Sequence, residues 1–314
     1  MHMHEEELHG KLDPQSRPTR RKSHEGGHVT EGQSPTVRRR QLGMELRRLR
    51  ERANVSAIQA GEHIGRSDST ISRFETGRVT IRQKVLVQLL DLYKSADDET
   101  QAVLDLAREA SKRGWWHAHG DAVPPWFEVF IGLEAEAASI QTYQPQLIPG
   151  LLQTEAYARA VIEADHPGMS EEEIDRLVAL RLVRQKLLTR SNPPELWAVM
   201  SEAALRHAIG GPATMREQLL SLRDARRLAG VTLQVLPFAR GAHPGMLGPF
   251  HLLEFPQPSE THVAYVEYLT GSIYLEKPEE VRRYRLIFDH IRAAALPPNE
   301  SVALMSVVIE EMTS

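Results

Sequence analysis

Not one of the 314 residues is a cysteine, which excludes disulfides and thiolate zinc sites and fits a reducing, cytoplasmic setting. No apolar run approaches the roughly 18–20 residues needed to span a bilayer, so no membrane helix is expected. The start carries Glu5, Glu6 and Glu7 and no apolar stretch, unlike a secretory signal. Common enzyme signatures are missing too: there is no HExxH, no Walker-type phosphate loop, no GxGxxG and no GxSxG. Only 6% of the chain is aromatic, so Trp115, Trp116 and Trp126 stand out beside Pro124 and Pro125 as the mark of a joint.

The remaining composition, 41% hydrophobic and 25% charged, lies within the globular range. The length allows one small domain and one of about 180–200 residues. The net charge of −4 hides an asymmetry. From Ser16 to Lys94, 17 Lys and Arg face 8 Asp and Glu, a balance of +9 that leaves −13 for the rest. A basic module on an acidic body suggests that only the first meets a polyanion.

Residues 1–36 are rich in His, Gly, Ser, Pro and charge and read as a disordered tail. Met-His-Met-His at its start has metal-binding residues, but an ordinary tail, or a start codon placed too far upstream, explains it more simply. Periodicity begins near Val37, with Leu42, Leu46 and Leu49 on one helical face. Asn54 ends that helix. Ser56 caps a short second helix with Ile58, Ala60 and Ile64. Gly65 stops it, and Ser67 caps a third with Ile71 and Phe74 inward. Gly77 closes the third in a left-handed position. A fourth helix is expected over 81–93 with Val85, Leu89 and Leu92 inward, and a fifth over 98–112.

Beyond Gly114 the pattern predicts a helix over 127–141 and others over 153–164, 171–190, 213–229, 279–295 and 300–311. Extended runs are expected at 195–200, 231–237, 248–255, 262–267 and 272–275. The organisation is therefore a tail (1–36), a mainly α five-helix lambda-repressor-like DNA-binding domain (37–112) and an α+β domain with a partly antiparallel sheet (113–314).

A tight turn between helices two and three lets the third lie in the major groove while the second crosses the backbone. Ser69 and Thr70 are short hydrogen-bonding groups at its start, and Arg73 has the fork that pairs with guanine O6 and N7. Arg38, Arg39 and Arg40, just before helix one, and the arginines within it can approach phosphates. Ser56, Ser67, Asp68 and Thr76 complete the candidate DNA-contacting set.

Val55-Ser56, Ala60-Gly61, Ile64-Gly65-Arg66-Ser67 and the run from Ser69 to Gly77 resemble the Xre/Cro/cI family of phage-repressor-type helix-turn-helix domains. Three positions depart from its pattern. Ala57 and Asp68 stand where the family often has Gln, and Arg66 where it usually has a small apolar residue. Asp68 repels phosphate but can accept from cytosine N4. The resemblance also implies an ion pair between helix one and the end of helix three, by position Arg50 and Glu75; two exposed charges are the alternative.

The rest of the chain from Ser34 resembles Xre-type regulators of actinomycetes of the WhiJ-like type, whose C-terminal domain is uncharacterised. The matching residues include Pro149 to Arg159, Arg181 to Gln185, Ser201 to Arg206, Val235 to Phe238, Gly248-Pro249-Phe250 and Tyr265 to Leu269. The resemblance implies a developmental or secondary-metabolism regulator.

His117, His119 and Asp121 could be metal ligands, but a polar loop is the simpler reading, and no metal or cofactor is expected. Glu202, Glu267, His243 and His251 have acid–base chemistry, with structural roles the simpler reading and no catalytic residue expected. A possible effector or partner site comprises Trp115, Trp116, Trp126, Gln153, Arg181, Arg184 and His243. Aromatic packing at a joint, and ordinary ion pairs for the arginines, are its plain alternatives. The expectation is a cytoplasmic transcriptional regulator, not an enzyme, that binds double-stranded DNA as a homodimer under control of an effector or small partner protein. Its alternative is an antitoxin-like protein that binds a small partner and autoregulates its operon. The helix with Leu177, Leu180 and Leu188 and the closing helix with Val302, Met305, Val308 and Ile309 are candidate dimer stripes.

Overall fold

A computed structural model describes residues 35–112, 123–256 and 262–312. Residues 1–34 of the proposed tail, Trp115, Trp116 and the His117, His119, Asp121 group lie outside the described residues, whereas Pro35 and Thr36, expected in the tail, open the first helix. Among those described, no helix is long and apolar enough to cross a membrane.

Five helices form the N-terminal region: α1 (Pro35–Arg52), α2 (Ala57–His63), α3 (Asp68–Glu75), α4 (Gln83–Leu92) and α5 (Asp97–Ala110). Leu42, Leu46 and Leu49 of α1 are buried with Ala60, Ile71 and Val103 in one core. The inward face of α4 is Leu86, Leu89 and Leu90, with Val85 and Leu92 at its margin. The expected stripe is thus rotated, because α4 packs between α2 and α5 and buries the i, i+3, i+4 set. Ile58 points outward, 60% exposed. Arg38, Arg39 and Arg40 lie inside α1 rather than ahead of it.

The C-terminal domain is α+β. Its sheet has the order β3-β2-β1-β4-β5-β6, built from β1 (Ser139–Gln144), β2 (Glu195–Ser201), β3 (Val231–Leu236), β4 (Phe250–Glu254), β5 (Val263–Tyr268) and β6 (Gly271–Leu275). Helices α6 (Pro125–Glu136), α7 (Glu155–Asp165), α8 (Glu171–Gln185), α9 (Glu202–Arg206), α10 (Pro212–Ala225), α11 (Pro278–Ala294) and α12 (Pro298–Glu311) complete it. Strands β1, β2 and β3 run parallel, as helical crossovers require. Strands β4, β5 and β6 are antiparallel to their neighbours. The sheet is thus mixed, and its antiparallel part follows the short connections.

Side-chain alternation gives the sheet two buried faces. Leu196, Ala198 and Met200 of β2 point to the face covered by α6, α7, α10 and α12. Val199 points to the opposite face, where Phe288 and Ile291 of α11 pack. The helix expected over 127–141 ends at Glu136, and Ser139–Gln144 is instead the sheet's central β1. The run Leu133-Glu-Ala-Glu-Ala-Ala138 favours helix locally, but pairing on both sides by β2 and β4 prevails over local propensity just beyond it. The stripes considered for dimerisation are largely internal: Leu180, Leu188, Met305, Val308 and Ile309 are buried within this chain's own core.

Two glycines set how the N-terminal helices meet. Gly77 has φ +67°, and a Cβ there would stand 2.8 Å from the Arg40 nitrogen. Gly43, inside α1, has ordinary helical geometry, but a Cβ would approach the Glu75 carbonyl and stand 2.6 Å from the Phe74 carbonyl oxygen. At a neutral helix position Gly→Ala stabilises by about 1 kcal/mol. Here the new methyl meets backbone, so Gly43→Ala is expected to destabilise by about 1–3 kcal/mol, measured by urea unfolding of the full chain.

Candidate nucleic-acid interface

The second and third helices are built as a turn-linked pair. Ser56 accepts from the Gln59 amide at 3.1 Å while Gln59 Oε1 accepts from the Ser56 amide at 2.8 Å, closing a capping box on α2. Ser67 has extended backbone at the N-cap of α3, but its hydroxyl makes no cap bond. It lies 2.8 Å from Ser69 Oγ and 3.1 Å from Thr70 Oγ1 instead. Asp68 Oδ1 accepts from the Ser69 amide at 2.8 Å. Arg73 is exposed, its Nη2 donating to Thr70 Oγ1 at 3.2 Å and its Nε to the Ser69 carbonyl at 3.3 Å. Thr76 donates back to the Ser72 carbonyl at 2.8 Å. The outer side of α3 is therefore a cluster of short hydroxyls and one guanidinium, the group types that read base edges.

Arg50 fixes this helix from beneath. Its Nε and Nη2 donate to the two Glu75 carboxylate oxygens at 2.5 and 3.0 Å, and its Nη1 donates to the Val55 carbonyl at 2.9 Å. The pair is largely buried, with side chains 12% and 9% exposed. The Glu75 hydrogen bonds raise the Arg50 guanidinium above its ordinary range.

The other arginines of α1 divide between carboxylates and the C-terminal domain. Arg47 pairs with Glu51 at 2.8 Å and Arg48 with Glu45 at 2.5 Å. Glu99 of α5 receives both Arg48 and Arg52, at 2.9 and 2.5 Å, and those bonds hold its carboxyl down at about 2. Arg40 is buried, 3.3 Å from Glu276 and over the Phe255 ring at 5.5 Å. Burial lowers the Arg39 guanidinium, with Glu128 opposing. Arg38 donates to Gln41 at 3.4 Å. By contrast Arg66, Arg73, Arg78, Arg82 and Lys84, on α3 and its flanks, are exposed. Among the described residues none of them forms an ion pair. Sequence reasoning singled out only Arg73 in this group. Glu45 and Glu51 were legible as neutralising partners by their i, i+3 and i, i+4 spacing; Glu99, some fifty residues away, was not.

The residues considered for an effector site fall on opposite faces of the sheet. On the α8 side, Arg184 Nε and Nη2 donate to the two Glu134 oxygens at 2.8 Å each. Arg181 Nη1 donates to Gln153 Oε1 at 2.7 Å. Trp126 meets Phe127 edge-on, and its carbonyl accepts from Tyr274 at 2.6 Å. His243 lies across the sheet, 3.4 Å from Tyr143 Oη. It borders a cavity of about 460 Å³ with Arg283, Leu286, Ile287 and His290.

The turn-linked pair within a closed helical core defines a helix-turn-helix protein, and residues 41–103 match the family described as a helix-turn-helix domain. That domain supports DNA binding. Residues 127–306, more than half of the chain, match the domain of unknown function DUF5753, and the chain belongs to that family. No curated protein and no solved structure matches it.

Two outcomes follow from this chemistry. Removing one member of the Arg50–Glu75 pair strands its partner, at a cost of about 3 kcal/mol. Urea unfolding of Arg50→Met, Glu75→Gln and the double variant should show losses that fall well short of additive. The second concerns His251, which burial holds neutral with its imidazole pushed down to about 3. The unfolded chain takes up that proton nearer pH 6.5, so stability present above that value declines as pH falls, by up to about 1.4 kcal/mol per pH unit. Unfolding at pH 7, 6 and 5 should show a shallower decline in His251→Asn than in the native chain.

Proposed function

We propose that this protein is a sequence-specific transcriptional regulator. It sets α3 in the major groove of double-stranded DNA, with its C-terminal domain acting as a dimerising and effector- or partner-responsive part rather than as an enzyme. The observation that carries the reading is the distribution of free positive charge. Arg47, Arg48, Arg50 and Arg52 of α1 are neutralised by carboxylates, whereas within the described N-terminal helices the exposed cations without ion pairs, Lys94 apart, lie on α3 and its flanks. Phosphate contacts then fall to Arg66, Arg78, Arg82 and Lys84, with Arg38 and the Ser56 hydroxyl at the margin. Base contacts fall to Ser69, Thr70 and Arg73, and Asp68 accepts from a cytosine amine. Ser67 and Thr76 orient the ends of the helix. Exposed Phe238, Met246, Leu247 and Leu269 offer apolar surface for a second copy, in place of the internal stripes of α8 and α12.

Arg73→Ala should weaken operator binding by about 1–3 kcal/mol and relax preference at one base pair. Selection of bound sequences from a random duplex library, followed by titration of native and variant chains, measures both. Equal loss on operator and random DNA would make Arg73 a phosphate contact.

A further inference from the structure

Two arginines one turn apart on α8 differ in how far their chemistry is satisfied. Arg184 is buried, makes both fork bonds to Glu134 and stacks over Phe127 and Phe130, 5.0 and 5.6 Å from the ring centres. Arg181 is half-buried. Its hydrogen bond goes to a neutral acceptor, Gln153 Oε1, and among the described residues it reaches no carboxylate within ion-pair distance. Gln153 is itself held, its Nε2 donating to the Ile148 carbonyl at 2.7 Å. Gln185 of the same helix donates to the Gly150 and Gln153 carbonyls at 3.2 and 2.7 Å. The Pro149–Thr154 segment is thus lashed to α8 around a guanidinium that feels Glu267 and Asp165 from a distance but pairs with neither. Burial, then Arg184, pushes that guanidinium down to about 10.

The sheet beneath supplies a second, independent sign. Glu267 feels both arginines but contacts neither; it accepts from Tyr265 Oη at 3.2 Å, and burial raises its carboxyl. Gln144 Nε2 lies 3.3 Å from His251 Nε2. An amide nitrogen only donates, so the imidazole Nε2 accepts and the proton sits on Nδ1. That Nδ1 is buried and has no hydrogen-bond partner. Buried N–H groups are paired in nearly all folded proteins. A guanidinium without an ion-pair partner and an imidazole N–H without an acceptor therefore occur on the side of the sheet covered by α6, against which α8 packs. A purely structural prop for Gln153 would need only a neutral donor, without the cost of a mostly buried charge.

We infer that the region of α8 around Arg181 binds the oxyanion group of a small ligand, a carboxylate or a phosphate, with Arg181 as its clamp and Gln153 as the clamp's support. This deepens, and rests on, the reading of the C-terminal domain as effector-responsive. The fork of a guanidinium fits either anion in bidentate fashion.

The test uses the full chain without DNA, so a failure of operator recognition leaves it unaffected. Thermal unfolding is followed with sodium acetate or sodium phosphate at about 20 mM, against sodium chloride of matched ionic strength; the native chain should gain about 3 °C with at least one anion. Acetate alone acting identifies a carboxylate ligand, and phosphate alone a phosphate. Arg181→Gln should show no such gain, and the comparison removes general salt effects. Gln153→Glu places a carboxylate against Arg181 from within the chain, and the new ion pair offsets the lost bond to the Ile148 carbonyl. This variant should lose the anion response while keeping the native far-UV circular dichroism, which makes it the second arm if Arg181→Gln does not fold. No gain in the native chain with either anion, or an equal gain in Gln153→Glu, overturns the inference.

Discussion

The helix-turn-helix depends on one guanidinium. Arg50 joins three segments at once: its own helix α1, the start of α2 through the Val55 carbonyl, and the end of α3 through Glu75. An eight-residue helix such as α3 is too short to persist alone, so its orientation comes from what holds its ends. Ile71 anchors its middle in the shared core, and Gly43 lets its last carbonyls settle onto α1. The reading side chains face outward because every inward contact of α3 is already taken.

Pairing also decides where charge remains available. Along α1, carboxylates at helical spacing or from α5 cancel most of the arginines. Arg184 is cancelled by Glu134 in the C-terminal domain. What is left over among the described N-terminal helices, Lys94 apart, lies on α3 and its flanks. Composition alone points to the basic half of the molecule; only the pairing shows which cations in it can meet an anion from outside.

Much of the architecture was readable because its signals are local. Leu42, Leu46 and Leu49 carry a helical period, Gly77 a left-handed stop, and the first strands after Glu195 apolar runs that fit their burial on both faces. What escaped is what depends on contacts distant in sequence. β1 hid behind an alanine-rich helix end until β2 and β4 could be placed beside it. The rotated face of α4 follows from its position between α2 and α5. Arg40 looked like part of a free basic arm, but Glu276 and Phe255, more than two hundred residues later, enclose it. Of the candidate effector residues, Gln153 and Arg181 meet, while His243 lies across the sheet; nothing in their spacing could show that division.

The Arg40 contact has a consequence for how such a chain reads an operator. Arg40 ties α1, and with it the reading helix, to the segment just after the edge strand β6. A reading head tied to its body by side-chain contacts cannot swivel as one on a loose tether does. If two copies join through their bodies, the distance between their reading helices is set by the protein and not by the DNA. Such an assembly tolerates a changed base better than an inserted one, since a single added base pair moves one half-site by about 3.4 Å along the duplex and turns it by about a tenth of a helical turn.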